Sequence, residues 1–151
     1  MILVSSCLAG LSCRYDGKHQ LQEKIRILVE KKKAIMACPE LLGGFTTPRE
    51  PAEIVDGTGA DVILGKAKVI SRSGEDVTKQ YVDGAYQTLA IVQQTQATTI
   101  VLKENSPSCG SKQIYNGTFS GAKIAGEGVT TALLRSKGFQ VISEEEFMAK
   151  Y

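Results

Sequence analysis

The sequence has a single histidine, His19, no tryptophan, and a net charge of only +2 over 151 residues. With no second imidazole, a His-based zinc site is a poor reading, and a Cys–His nucleophilic pair would have to use His19. That residue sits on a polar approach to a helix, where a solvated histidine is the bland alternative. The small net charge gives no footprint for DNA or for an anionic membrane surface. The one basic run, Lys31-Lys32-Lys33, falls at the end of a predicted helix, where cations suit the dipole. No segment approaches the ~18 apolar residues of a membrane-spanning helix. The N-terminal apolar stretch is short for a secretory signal and lacks a basic start, so the expected compartment is the cytoplasm. There, four cysteines favour metal binding or catalysis over disulfides. Internal repeats and low-complexity tracts are absent.

What remains is ordinary for a globular chain. Hydrophobic content is 42% and charged content 23%, and the length fits one domain, 1–151, with a real core. Short apolar runs at residues 2–6, 34–37, 99–104 and 139–142 read as strands. Helices are predicted over 20–32, from the stripe Leu21, Ile25, Leu28, Val29, and over 77–96, where Asp76 is a plausible N-cap. A third covers 129–137 and is closed by Gly138; Ser143 and Glu146 form a capping box that opens a last short helix. Residues 62–64 and 67–71 read as a small β excursion. Residues 7–19, with turn chemistry at Asp16-Gly17, and 38–60 and 105–128 read as loops. Strands alternating with helices predict an α/β, Rossmann-like three-layer fold with about four parallel strands.

In such a fold the carboxyl ends of the strands form the ligand crevice. Cys7 follows the first strand, Cys38 the second, and Cys109 lies a few residues beyond the third. Three thiols distant in sequence would then converge. Three thiolates without an obvious fourth point to an iron–sulfur cluster with one iron open to substrate. The alternative is three buried cysteines closing strands, since unpaired cysteine is often core. Cys38-Pro39-Glu40 places a carboxylate two residues from a potential ligand. Ser106-Pro107-Ser108-Cys109-Gly110 puts two hydroxyls and a thiol in one tight turn, which an ordinary serine-rich turn also explains.

A rival reading uses Cys7 and Arg14. A strand followed by Cys-x5-Arg is the phosphate cradle of low-molecular-weight tyrosine phosphatases and arsenate reductases. This chain has Cys-x6-Arg and no Asp-Pro dipeptide for a general acid. Cys13 does not directly follow a strand and reads as filler. Gly121, Gly126 and Gly128 lead into a helix near Thr130, but no Gly-Lys-Ser/Thr follows, which excludes a Walker loop. Tight turns explain that pattern as well as an anion site does.

Taken together, several segments carry a resemblance. They are Val4-Ser5-Ser6-Cys7-Leu8 with Cys13-Arg14-Tyr15-Asp16-Gly17, then Cys38-Pro39-Glu40 with Gly43-Gly44, Pro48-Arg49 and Pro51. They continue as 103–110, Lys-Glu-Asn-Ser-Pro-Ser-Cys-Gly, then Ile114 to Gly121 and Gly126-Glu127-Gly128-Val129-Thr130. In this order, over nearly the whole chain, they resemble the thiouracil desulfidase (TudS) family in its short, single-domain form. The resemblance implies a [4Fe–4S] cluster on three cysteines, which by position are Cys7, Cys38 and Cys109. It also implies non-redox conversion of thiouracil to uracil and sulfide, with Ser106 and Glu40 where assisting residues are expected. Proximity to these motifs makes Arg49, Lys103, Glu104 and Asn105 candidates for orienting the base. The expected partner is a small thiolated nucleobase, with oligomeric state left open. A sulfur or iron–sulfur carrier without turnover of its own is the competing class; a preformed small-molecule pocket would favour the enzyme.

Overall fold

The structure, a computed structural model, describes residues 1–9, 16–45 and 50–150, with the side chains of residues 7, 9 and 16–22 outside that description. Four short strands make one parallel sheet: β1 (Ile2–Ser5), β2 (Ala34–Ala37), β5 (Thr99–Leu102) and β8 (Gln140–Ser143), in the order β2-β1-β5-β8. The pairing is in register, with Ile2 opposite Ala34 and Thr99, and Thr99 opposite Gln140.

Each of these strands is apolar on both faces because the sheet is covered on both faces. Leu3, Ile100, Leu102 and Val141 point into one core with α5 (Thr78–Thr95) and α6 (Val129–Ser136). Val4, Val101 and Ile142 point into a second core with Ile25 of α2 (Asp16–Glu30) and Phe147 of α7 (Glu144–Lys150). The result is the expected three-layer, Rossmann-like α/β architecture. No helix among the described residues is long and apolar enough to cross a membrane.

The local signals act largely as read. Asp76 is not the N-cap of α5, a position that Val77 holds, but stands one residue earlier and accepts the Thr78 amide on Oδ1 at 3.0 Å. α6 ends in a Schellman arrangement, with Phe139 N bonded to Leu134 O and Gly138 N to Arg135 O. Ser143 and Glu146 exchange bonds at 3.3 and 3.2 Å, the capping box of α7.

The expected loops contain more structure than periodicity predicts. Residues 6–9 form α1 (Ser6–Ala9), and Asp16-Gly17 open α2 rather than a turn. Within 38–60 lie α3 (Pro39–Leu42), β3 (Ala52–Val55) and α4, which runs Gly59–Ile63. Residues 62–63 are therefore the end of a helix and not a strand. Asp61 accepts the Thr58 amide at 2.9 Å, an N-terminal cap that outweighs the β preference of Val62 and Ile63. β3 pairs antiparallel with β4 (Lys68–Ser71), and β6 (Gln113–Tyr115) pairs with β7 (Lys123–Ala125). Both are two-stranded excursions of three or four residues per strand, too short to show a period in the sequence.

Candidate active site

The sheet order places the carboxyl ends of β2, β1 and β5 side by side. Cys7 lies in α1, two residues past Ser5; Ser5 pairs with Ala37, and Cys38 follows at once. Cys38 is half-buried, in extended conformation at the mouth of α3, and its carbonyl accepts the Leu42 amide at 3.0 Å. α5 presses closely on this turn. A Cβ on Gly84 would stand 2.0 Å from the Pro39 carbonyl oxygen, so the contact needs glycine.

Cys109 is farther along the chain, and a carboxylate holds the loop that carries it. Glu104 accepts hydrogen bonds from the Ser111 amide and hydroxyl, both at 2.7 Å, and from the Lys112 amide at 3.1 Å. Burial pushes the Glu104 carboxyl up, but its bonds from Ser111, Lys112 and Asn105 outweigh this and hold it below the usual glutamate range. Residues 106–110 then form a tight turn, with the Cys109 amide on Ser106 Oγ at 2.7 Å and the Gly110 amide on the Ser106 carbonyl at 3.0 Å. The turn seats on the start of α6. The Val129 and Thr130 amides bond to the Pro107 and Ser108 carbonyls, and Thr131 Oγ1 to the Cys109 carbonyl. Cys109 is 4% exposed.

Glu40 and Ser106, 66 positions apart in sequence, meet through Ser108. Ser108 Oγ donates to Glu40 Oε1 at 3.2 Å, lies 3.4 Å from Ser106 Oγ, and lies 3.3 Å from Cys109 Sγ. Ser108 is buried, whereas Glu40 and Ser106 both line a cavity of about 790 Å³. Tyr81, Tyr115 and Phe119 give this cavity aromatic surface, and Glu50, Glu53 and Arg72 bring charge to it. The Tyr81 ring is held by Phe45, with centroids 5.2 Å apart.

The structure therefore brings Glu40, Ser106 and Cys109 together. Cys38 lines a separate, smaller cavity of about 300 Å³ with Ser6, Met36, Leu41, Leu42 and Ile91. Lys103 pairs with Glu144 at 2.8 Å, Glu104 staples the loop, and the Asn105 amide bonds to Glu104 at 3.2 Å. These three sit at the base of the cysteine loop and are not among the residues lining the large cavity. Arg49, Cys13 and Arg14 lie outside the described residues, as does the Cys7 side chain. Among the described residues no three His, Cys, Asp or Glu side chains form a metal-binding group; the third thiol of the expected set is Cys7. Sequence reasoning did not single out Ser108 as the joint, nor Tyr115 and Phe119 as cavity wall.

Comparisons with known proteins identify the family. The 2-thiouracil desulfurase family profile matches residues 2–146. The uncharacterized protein YbbK of Bacillus subtilis (strain 168) is 65% identical over 146 residues, which is 97% of each chain. A solved structure of a [4Fe–4S]-dependent thiouracil desulfidase, TudS, superposes with a TM-score of 0.80 at 38% identity, covering 98% of this chain and 93% of that one. On this evidence the chain belongs to the 2-thiouracil desulfurase family.

Proposed function

We propose that the protein is an iron–sulfur-dependent desulfidase that replaces the sulfur of a thiolated pyrimidine base with oxygen, as in 2-thiouracil to uracil, acting as a single domain in the reducing cytoplasm. The observation that carries the reading is the Glu40–Ser108–Cys109 contact. It joins a cavity-lining carboxylate to a buried thiol through one hydroxyl. The membership of the family and the likeness to the TudS desulfidase support it.

The residues fit a cluster. Cys38 and Cys109 are thiols rather than disulfides, the chemistry that iron–sulfur clusters take as ligands, and Ser108 Oγ lies 3.3 Å from the Cys109 sulfur. Thr130 Oγ1, in the helix turn on which the Cys109 loop sits, is buried with no hydrogen-bond partner among the described residues. Cys7, Cys38 and Cys109 would hold the group. When bound, such a cluster supplies an iron with an open coordination position, a Lewis acid toward the exocyclic sulfur of the base.

The chain's own residues supply the rest. Tyr81, Tyr115 and Phe119 offer faces for a planar heterocycle. Glu40 takes a proton from the water that attacks the carbon bearing sulfur. Ser108 orients the Glu40 carboxylate by donating to Oε1. Ser106 Oγ accepts the Cys109 amide, so its own proton is available to a ring atom or to Ser108. One water is consumed and one hydrogen sulfide released per base, with no change in oxidation state. The preformed cavity favours this enzyme over a sulfur or cluster carrier. Anaerobic incubation with 2-thiouracil tests the reading: uracil and sulfide should appear in equal amounts over many turnovers. A single equivalent of sulfide per chain would instead show a carrier.

A further inference from the structure

Glu53 is a buried carboxylate in the middle of β3, and its contacts are unusual for a strand residue. Its Oε1 accepts the backbone N–H groups of both Gly117, at 2.9 Å, and Phe119, at 3.1 Å. The loop that offers them alternates left-handed residues: Gly117 has φ +90°, Phe119 φ +56° and Gly121 φ +82°. Alternating handedness turns successive amides toward one point and makes a concave anion receptor from backbone alone. Here the anion is supplied by the chain itself. The loop is also braced internally, with Asn116 Oδ1 accepting the Thr118 amide at 3.0 Å and Asn116 N bonded to the Ala122 carbonyl at 3.0 Å. A Cβ on Gly117 would stand 2.7 Å from the Ile54 carbonyl oxygen, so the loop is pressed onto β3.

Left-handed backbone is costly for phenylalanine, yet Phe119 adopts it at φ +56°. The side chain is half-buried and lines the large cavity together with Tyr115, Glu53, Glu40 and Ser106. We propose that Glu53 is a specificity-determining positioning residue: by filling the backbone receptor of the 116–121 loop it fixes the Tyr115–Phe119 wall against which the base of the substrate packs. The inference rests on the thiopyrimidine reading above. It assigns to that site an aromatic wall held by a carboxylate that lines the same cavity and takes no part in the chemistry of the C–S bond.

Uracil, the reaction product, is the probe, because its binding can be measured without turnover. Calorimetric affinity for uracil, iron per chain, and hydrogen exchange of the Gly117 and Phe119 amides would be compared for anaerobic wild-type holoprotein, Glu53→Gln, Glu53→Ala and Phe119→Ala. Glu53→Gln keeps an acceptor for both amides and should bind within a few-fold of wild type. Glu53→Ala should lose protection at both amides and weaken uracil binding about 5- to 100-fold, the scale of one lost base–aromatic stack, with iron unchanged. Phe119→Ala should weaken uracil binding to the same extent while keeping amide protection, and it carries the test should Glu53→Ala fail to fold. Unchanged affinity in Glu53→Ala and Phe119→Ala, with wild type binding uracil, overturns the wall. Full amide protection in Glu53→Ala overturns the clamp. A wild type that binds neither uracil nor 2-thiouracil refutes the thiopyrimidine reading itself, and the wall with it.

Discussion

Ser108 Oγ stands 3.2 Å from Glu40 Oε1 and is buried, so one hydroxyl ties the turn after β2 to the loop after β5. A serine hydroxyl has one proton to donate. Given to Glu40, it leaves Ser108 oxygen to accept from Ser106, which orders the polar row on the cavity wall. Ser108→Ala should keep the cluster and its iron count but lower kcat roughly 10- to 100-fold. That is the scale of losing one hydrogen bond to a charged group, about 1.5–3 kcal/mol. Iron content with single-turnover kinetics separates the two effects; loss of iron in Ser108→Ala would make it a support for Cys109 instead.

Glu40 and Ser106 line the cavity, and neither carboxylate nor hydroxyl is a preferred ligand of iron–sulfur clusters. Glu40→Gln and Ser106→Ala should therefore retain colour and iron while release of uracil falls by roughly 10²-fold or more. Normal turnover in both variants would mean that these side chains take no part in the chemistry.

Gly84 is a test of how the Cys38-Pro39-Glu40 turn is positioned. In an exposed helix, Gly→Ala stabilises by about 1 kcal/mol. Here the added methyl meets the Pro39 carbonyl at 2.0 Å, so α5 or the turn must shift. Gly84→Ala should lower the melting temperature and reduce both iron retention and turnover. A melting temperature at or above wild type would show that the contact yields without cost.

Glu104 links structure to pH. In the folded protein its carboxyl titrates below the ordinary glutamate range, so its contribution to stability is complete above that range. The contribution is lost as pH falls through the folded value. Glu104→Ala should destabilise the protein at pH 7, and the gap to wild type should narrow as pH falls below the ordinary glutamate range, where the unfolded carboxyl takes up its proton before the folded one. Denaturant midpoints of the two proteins across that range give the answer; a gap that widens in acid would reverse the sign.

Much of this was legible before any coordinates. The four parallel strands announced themselves as short apolar runs because both faces of the sheet are covered, and Cys38 and Cys109 stood out by following such runs. Asp76, Gly138 and Ser143 act locally, so their signals survive in sequence. Of the two antiparallel pairs, β4 was read within 67–71, but β3, β6 and β7 were not, because strands of three or four residues carry no period and β3 is interrupted by a buried Glu53. Lys103, Glu104 and Asn105 were placed near the substrate by adjacency alone. The Lys103 side chain pairs with Glu144 and the Glu104 carboxylate takes the 111–113 amides, while Asn105 gives its backbone amide to Glu104, a matter of loop geometry that adjacency does not encode. Ser108 could not be ranked above its neighbours, since its partner Glu40 is 68 positions away.

The central claim is that three strand-end cysteines hold one cluster, and the direct measurement is iron and labile sulfide per chain in anaerobically reconstituted protein. Wild type and Cys13→Ala should each hold about four irons and four sulfides, as a [4Fe–4S] cluster requires. Cys7→Ala, Cys38→Ala and Cys109→Ala should each hold almost none. Full iron in Cys38→Ala, or loss confined to Cys13→Ala, would contradict the account.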